Sequence, residues 1–146
     1  RCSMIECLDS AFKEYPLEQR ERAFFVWNRD DDFEFMGKQR LMVSVLFNLI
    51  KNALYALKKA NKGNVYIKLK RGKKRNFLYF KDTGIGVPDH SRNRIFKLFY
   101  TRKKPYGMGL GLTFCKEVMD KFGARIDYDS TEGFYTEFIL SFPKCR

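Results

Sequence analysis

The sequence predicts an α+β protein, a mixed β-sheet covered on one face by helices to form a two-layer sandwich. The central segment Leu41–Leu57 has helical apolar spacing, and pairs of strand-like segments lie before it, after it and at the end of the chain. A second long helical pattern, from Leu110 to Phe122, precedes the last pair. The order is therefore helix, strand pair, helix, strand pair, irregular segment, helix, strand pair. A length of 146 residues with 45% hydrophobic and 16% aromatic content suits one domain with a full core, residues 1–146, the first twenty forming a helical lead-in. No uninterrupted apolar run approaches the roughly 18 residues of a membrane span. The opening Arg-Cys-Ser-Met is neither an initiator methionine nor a signal peptide, so a segment of a longer cytosolic polypeptide is expected. Cys2, Cys7, Cys115 and Cys145 show no C-x-x-C spacing and read as reduced thiols. The net charge of +12, concentrated at Lys58/Lys59/Lys62, Lys68–Arg75 and Arg102–Lys104, favours anionic partners without choosing among them.

Ser3-Met-Ile-Glu6 reads as a capping box, followed by Ile5, Leu8, Ala11 and Phe12 at helical spacing, and Tyr15-Pro16 ends this first helix. Ala23–Asn28 and Phe33–Met36 are β-rich around a turn-prone Arg-Asp-Asp-Asp, which predicts a hairpin or two close neighbours. In the central helix, Met42, Val43, Leu46, Leu49, Ile50, Ala53, Leu54 and Leu57 share one arc. Ser44, Asn48, Asn52, Tyr55 and Lys59 form a stripe opposite, and Asn61-Lys-Gly63 stops the helix. Interior Asn costs a helix about a few tenths of a kcal/mol, so two of them one turn apart call for a compensating role. Val65, Ile67 and Leu69 alternate with Tyr66, Lys68 and Lys70; after a basic turn, Phe77–Asp82 completes an antiparallel pair. By parity Asp82 shares the face of Leu78 and Phe80, at the rim of the buried side. Asp82-Thr-Gly-Ile-Gly-Val-Pro88 forces a turn, and residues 88–108 lack clear periodicity, as functional lids do. The last long helix closes at Gly123, and Arg125–Ser130 and Tyr135–Phe142 read as two final strands joined by a turn at Thr131-Glu-Gly133.

Three of these features point to a nucleotide. Gly107, Gly109 and Gly111 at a helix start expose backbone N–H groups as an anion site. Asp82 at the end of a buried strand face, followed by Gly-x-Gly, suits an exocyclic amine such as that of adenine. Asn48 and Asn52 offer neutral oxygens suited to a magnesium ion whose charge is already met by phosphate. The G-x-x-x-x-G-K-[ST] and G-x-G-x-x-G phosphate loops are absent.

Taken in order, Asn48-Leu-Ile-Lys-Asn52-Ala, Asp82-Thr-Gly-Ile-Gly86, Ile95-Phe-Lys-Leu-Phe99 and Gly107-Met-Gly-Leu-Gly-Leu112 resemble the ATP-binding catalytic domain of bacterial sensor histidine kinases. The texture around the first box and the Glu-Tyr-Pro segment is similar to that of quorum-sensing hybrid kinases. The superfamily includes DNA gyrase, Hsp90 and MutL. The resemblance, which runs from about Phe24 to Pro143, implies the Bergerat fold with a flexible ATP lid over 88–108, and ATP and Mg2+ as cofactors. It implies catalytic roles for Asn48 and Asn52, with Asn52 as the metal ligand. Asp82 resembles the reader of the adenine amine, Gly84 and Gly86 the turn under the base, Phe96 and Phe99 the lid anchor. Gly107, Gly109 and Gly111 resemble the phosphate-facing hinge. Tyr55, Ile95, Arg102, Lys103, Met108, Leu110, Leu112 and Thr136 complete the nucleotide contacts it implies.

The family's ATP-hydrolysing members resemble this helix but carry a water-activating Glu at the place of Asn48. An amide cannot be a general base at neutral pH, so phosphoryl transfer is expected rather than hydrolysis. The implied acceptor is a histidine on a separate dimerisation domain, since the only histidine, His90, lies in the lid segment. Lys51, Lys59, Arg102 and Lys103 are candidates for charge stabilisation of the phosphates. Tyr55, Arg102 and Tyr135 depart from the family pattern, which more often has Lys, Thr and Gly there. The implied partners are ATP and ADP, the histidine-containing dimerisation domain of the same kinase and a response regulator receiver domain. Nucleic acid is not among them. The implied setting is the cytoplasmic part of an inner-membrane receptor acting as a homodimer. Two other readings compete: another ATPase or serine kinase of the superfamily, and a basic nucleic-acid-binding module built on Tyr66, Tyr79 and the Lys68–Arg75 cluster.

Overall fold

The computed structural model of this chain describes residues 1–89, 94–96 and 110–145, with only the backbone at Leu110. Its frame is a five-stranded mixed sheet of β2 (Phe25–Trp27), β4 (Val65–Arg71), β5 (Arg75–Asp82), β6 (Arg125–Thr131) and β7 (Tyr135–Pro143), in the spatial order β2-β4-β5-β7-β6. β2 runs parallel to β4 and every other pairing is antiparallel. The inward side chains are those the alternation marks: Val65, Ile67, Leu69, Leu78, Phe80, Ile126, Phe138, Leu140 and Phe142 are all buried. Register stacks them across the strands, Ile67 beside Phe80 and Phe80 beside Phe138. The helices α1 (Met4–Glu14), α3 (Gln39–Ala60) and α4 (Leu110–Lys121) cover this face, and α2 (Gln19–Arg22) is a single exposed turn. The two-layer α+β sandwich read from the sequence is the fold observed.

α3 buries Met42, Val43, Leu46, Leu49, Ile50, Ala53 and Leu57 as expected, and also Val45 and Ala56. The buried arc is wider because α4 packs on the Val45 side, where the Cys115 thiol reaches the Val45 carbonyl at 3.8 Å. Leu54, assigned to the arc, is only half-buried. Asn61, in the left-handed region at φ 56°, caps the helix. By length and composition α3 also satisfies the requirements of a membrane span, because a window average absorbs its scattered polar residues. Half of that stretch is buried in this core.

One local reading is corrected. Phe25–Trp27 and Glu34–Phe35 do not form a hairpin with each other: β2 joins the edge of the main sheet beside β4, while β3 (Glu34–Phe35) pairs with β1 (Cys2–Ser3) in a separate ribbon. The ribbon is held by long-range contacts. Asp32 accepts from the Ser3 hydroxyl at 2.7 Å and the Ile5 amide at 2.9 Å, and Phe33 and Phe35 pack on Phe142 at 5.5 and 5.0 Å. Ser3 does cap α1, accepting from the Glu6 amide at 3.2 Å.

All four cysteines are free, and burial first of all pushes the Cys7 and Cys115 thiols up to about 12. Thiolate is the reactive species. At mildly alkaline pH an alkylating reagent should therefore label only Cys2 and Cys145 in the folded protein, and all four after denaturation, as read by intact mass.

Candidate nucleotide-binding site

On the flank of α3 that faces α4, the Asn48 amide donates to the Ser44 carbonyl at 2.9 Å. That bond orients its Oδ1 outward, to where a Cβ on Gly111 would come within 2.6 Å. Glycine at 111 thus lets the first turn of α4 settle against Asn48. Asn52 follows one turn later, half-buried, with no side-chain partner among the described residues. Its half-exposed amide offers an oxygen acceptor and two N–H donors on this flank of the helix. Gly111→Ala meets only the tip of a side chain, so it should cost little stability yet displace Asn48. The expected result is roughly tenfold weaker nucleotide binding at a nearly unchanged unfolding midpoint, measured by titration and urea denaturation.

The floor is built from the end of β5. Asp82 sits between Val65 of β4 and Thr136 of β7, and is 4% exposed. One carboxylate oxygen accepts from the Gly84 amide at 3.0 Å, closing a tight turn. Gly84 lies directly on α3: a Cβ there would stand 2.5 Å from the Ala56 carbonyl carbon and 2.6 Å from its oxygen. The Ile85 amide donates to that same oxygen at 3.3 Å. On the other side the Ile85 carbonyl accepts from Gly133 at 2.6 Å. Gly86, at φ +71°, then turns the chain so that the Val87 amide donates to the Ser130 hydroxyl at 2.8 Å. Ser130 in turn donates to the Tyr135 carbonyl at 2.7 Å and lies 3.1 Å from the Thr136 hydroxyl. The turn after Asp82 is therefore pinned between the central helix and the last hairpin.

Further along, Ile95 is buried, and the Phe96 ring packs on Tyr128 and Phe138 at 5.8 and 6.3 Å. The Thr113 hydroxyl of α4 donates to the Phe96 carbonyl at 3.2 Å. Among the described residues no three His, Cys, Asp or Glu side chains gather as a metal site. The side-chain oxygens of Asn48 and Asn52 on this flank of α3 are amide oxygens.

Residues 37–146 match the family model of histidine kinase-, DNA gyrase B- and HSP90-like ATPases. The chain belongs to this family. It is similar, at 35% identity over 143 residues, to the CAI-1 autoinducer sensor kinase/phosphatase CqsS of Vibrio cholerae serotype O1, which covers 97% of this chain and 21% of that protein. It is 36% identical over 143 residues to the autoinducer 1 sensor kinase/phosphatase LuxN of Vibrio campbellii, covering 97% of this chain and 17% of that protein. The chain spans about a fifth of the length of these curated relatives. Among solved structures, the mycobacterial sensor histidine kinase MprB superposes with a TM-score of 0.79 at 22% identity, over 97% of this chain and 96% of that one. The catalytic domain of histidine kinase ThkA gives 0.77 at 24% identity, over 98% and 97%. These two likenesses establish the fold; the resemblance to sensor histidine kinases read from the four boxes holds, as does the similarity to quorum-sensing kinases read around the first box and the Glu-Tyr-Pro segment.

Of the residues expected at the family's nucleotide site, Gly111 lies against Asn48, Gly84 against Ala56 one turn beyond Asn52 on the same helix, and Asp82 beside Thr136 across the sheet, while Ile95 is buried and Phe96 and Leu112 are half-buried against the core. Leu110 opens α4. Tyr55, at a position the family more often gives to Lys, lies with its ring 5.8 Å from the Lys59 ammonium, so a cation still stands beside it. Arg102, Lys103, Gly107, Met108 and Gly109, like His90, Phe99 and most of the expected lid, lie outside the described residues. Two residues escaped the sequence reading. Ser130 falls on the strand's alternation like any core position, and Ala56 reads as a neutral helix residue beside the Asn-Ala motif.

Proposed function

We propose that residues 1–146 form the catalytic, ATP-binding domain of a two-component sensor histidine kinase, with 88–108 as the lid over the nucleotide. The observation that supports this is the double close approach at glycine, Gly111 on Asn48 and Gly84 on Ala56, which sets the start of α4 and the turn after Asp82 against the same helix; between them we place the nucleotide cleft. In that cleft the buried Asp82 carboxylate accepts from the adenine amine, while Gly84 and Gly86 keep side chains out from under the base. The phosphates extend along α3 toward the start of α4, whose unpaired N–H groups favour anions. Asn52, with Asn48 beside it, would hold Mg2+ together with phosphate oxygens, and the ion when bound supplies charge neutralisation. Asn48 cannot take a proton from water, so the site positions the γ-phosphoryl group for in-line attack by an imidazole nitrogen, which forms the P–N bond as the bond to the ADP oxygen breaks. The acceptor histidine belongs to a dimerisation domain of the same membrane-anchored polypeptide, and the phosphoryl group passes on to a receiver domain.

The test is to supply γ-phosphate-labelled ATP and a separately expressed dimerisation segment carrying the acceptor histidine. The expected product is an acid-labile, base-stable phosphohistidine on that segment, lost with Asn52→Ala. Free phosphate released without transfer, or an acid-stable phosphoserine on a protein substrate, would favour the ATPase or serine kinase reading instead.

A further inference from the structure

The β4–β5 hairpin is the most cationic element of the described chain. Lys68, Lys70, Arg71, Lys73, Lys74, Arg75 and Lys81 fall within it, and its one acid, Asp82, is buried on the other face. On the outer face of the sheet, away from the helices, the register sets three lysines against rings, Lys81 opposite Tyr66, Lys68 opposite Tyr79 and Lys70 opposite Phe77, and the Lys81 ammonium also lies 4.8 Å from the Tyr135 ring. These rungs repeat about every 7 Å along the antiparallel ladder. Val26 of β2 lies beside Tyr66, and the two are 50% and 45% exposed. Lys68, Lys70, Lys73 and Lys74 have no ion-pair or hydrogen-bond partner among the described residues.

A face of this kind attracts a polyanion, and its rings indicate which. A single nucleic-acid strand needs open π-faces for base stacking. Here Phe77 and Tyr79 stack on each other, 5.9 Å apart at 17°, so their facing surfaces are already covered. The cations within the ladder are also lysines, flexible point charges, and not the planar forks that grip nucleic acid. A bilayer surface asks for what is present: tyrosines with apolar rings and polar hydroxyls, an exposed apolar Val26, and lysines that reach phosphates on long stems. The opposite half of the face is acidic, with Glu137 on β7 and Asp127 and Asp129 on β6, which orients the contact toward the β2-β4-β5 side.

We propose that the outer face of β2, β4 and β5 is a docking surface for anionic phospholipid membranes. It lies on the sheet face turned away from the α3–α4 cleft, so nucleotide and lipid binding are separable. The test is flotation with phosphatidylcholine vesicles, with and without phosphatidylglycerol. The domain should float only with the anionic vesicles and dissociate at high salt. Each basic residue at such a surface contributes about a fivefold factor, so Lys68→Gln with Lys70→Gln should weaken partitioning by about 25-fold, while Lys→Arg at both positions should preserve it. Unaltered nucleotide titration and unfolding of the same variants would show that the fold persists. Failure to bind anionic vesicles, equal binding to neutral ones, or binding indifferent to the Gln variants would overturn the proposal. So would tighter, Lys68- and Lys70-dependent binding to a single-stranded oligonucleotide, which would assign the face to nucleic acid.

Discussion

Asp82→Asn is expected to weaken binding of an ATP analogue by roughly 30- to 150-fold, the equivalent of about 2–3 kcal/mol for a buried charge-assisted hydrogen bond. The substitution keeps volume and shape, and an amide oxygen at the same place can still accept from the Gly84 amide, now 3.0 Å from the carboxylate. The turn should therefore survive, with a stability change of about 1 kcal/mol or less. What changes is the second atom, which becomes an N–H donor aimed at a donor on the base. Loss of affinity together with preserved cooperative unfolding would separate recognition from folding at this position. Equal affinity of the variant and the wild type would remove Asp82 from the site.

Gly84→Ala should have the largest effect on stability. Its methyl group would meet the carbonyl carbon, oxygen and Cβ of Ala56 at 2.5–2.7 Å, backbone atoms and a methyl fixed rigidly to the backbone of the helix that organises the core. They cannot rotate away. The turn must lift, breaking the Ile85-to-Ala56 hydrogen bond and distorting the Asp82–Gly84 bond, so overpacking and lost hydrogen bonds together cost about 3 kcal/mol. Gly123→Ala offers the comparison. Gly123 has φ +67° with nothing within 4 Å of its added Cβ, so only the left-handed backbone is penalised, by about 1 kcal/mol. Urea denaturation of both variants should reproduce that order, and only Gly84→Ala should also abolish nucleotide binding.

Much of this architecture was legible because it rests on local periodicity. The two faces of α3, the β4–β5 hairpin and the closure of α4 at Gly123 follow from spacing and turn chemistry within a few residues. So does the burial of Asp82, which strand parity with Leu78 and Phe80 requires. What escaped depends on partners distant in sequence. Phe25–Trp27 is three residues long and carries no mark that selects β4, forty residues on, over β3 nearby; the choice is made by contacts such as Val65 donating to the Phe24 carbonyl at 2.8 Å. The extra burial of Val45 and Ala56 likewise exists only because α4 and the Asp82 turn come to rest there. In the candidate site, the boxes single out residues without showing why Gly84 and Gly111 leave no room for a side chain. That reason is the contact of Gly111 with Asn48 and of Gly84 with Ala56, and neither is visible before the chain folds.

The central proposal is that ATP binds between α3 and the start of α4 through Asp82, with the help of magnesium at Asn52. Calorimetric titration of the domain with a non-hydrolysable ATP analogue, in the presence and absence of magnesium, tests it most directly. The expected result is saturable binding at a single site, tightened by magnesium, with the magnesium effect lost in Asn52→Ala. A domain that unfolds cooperatively yet gives no saturable heat with or without the metal would contradict the claim.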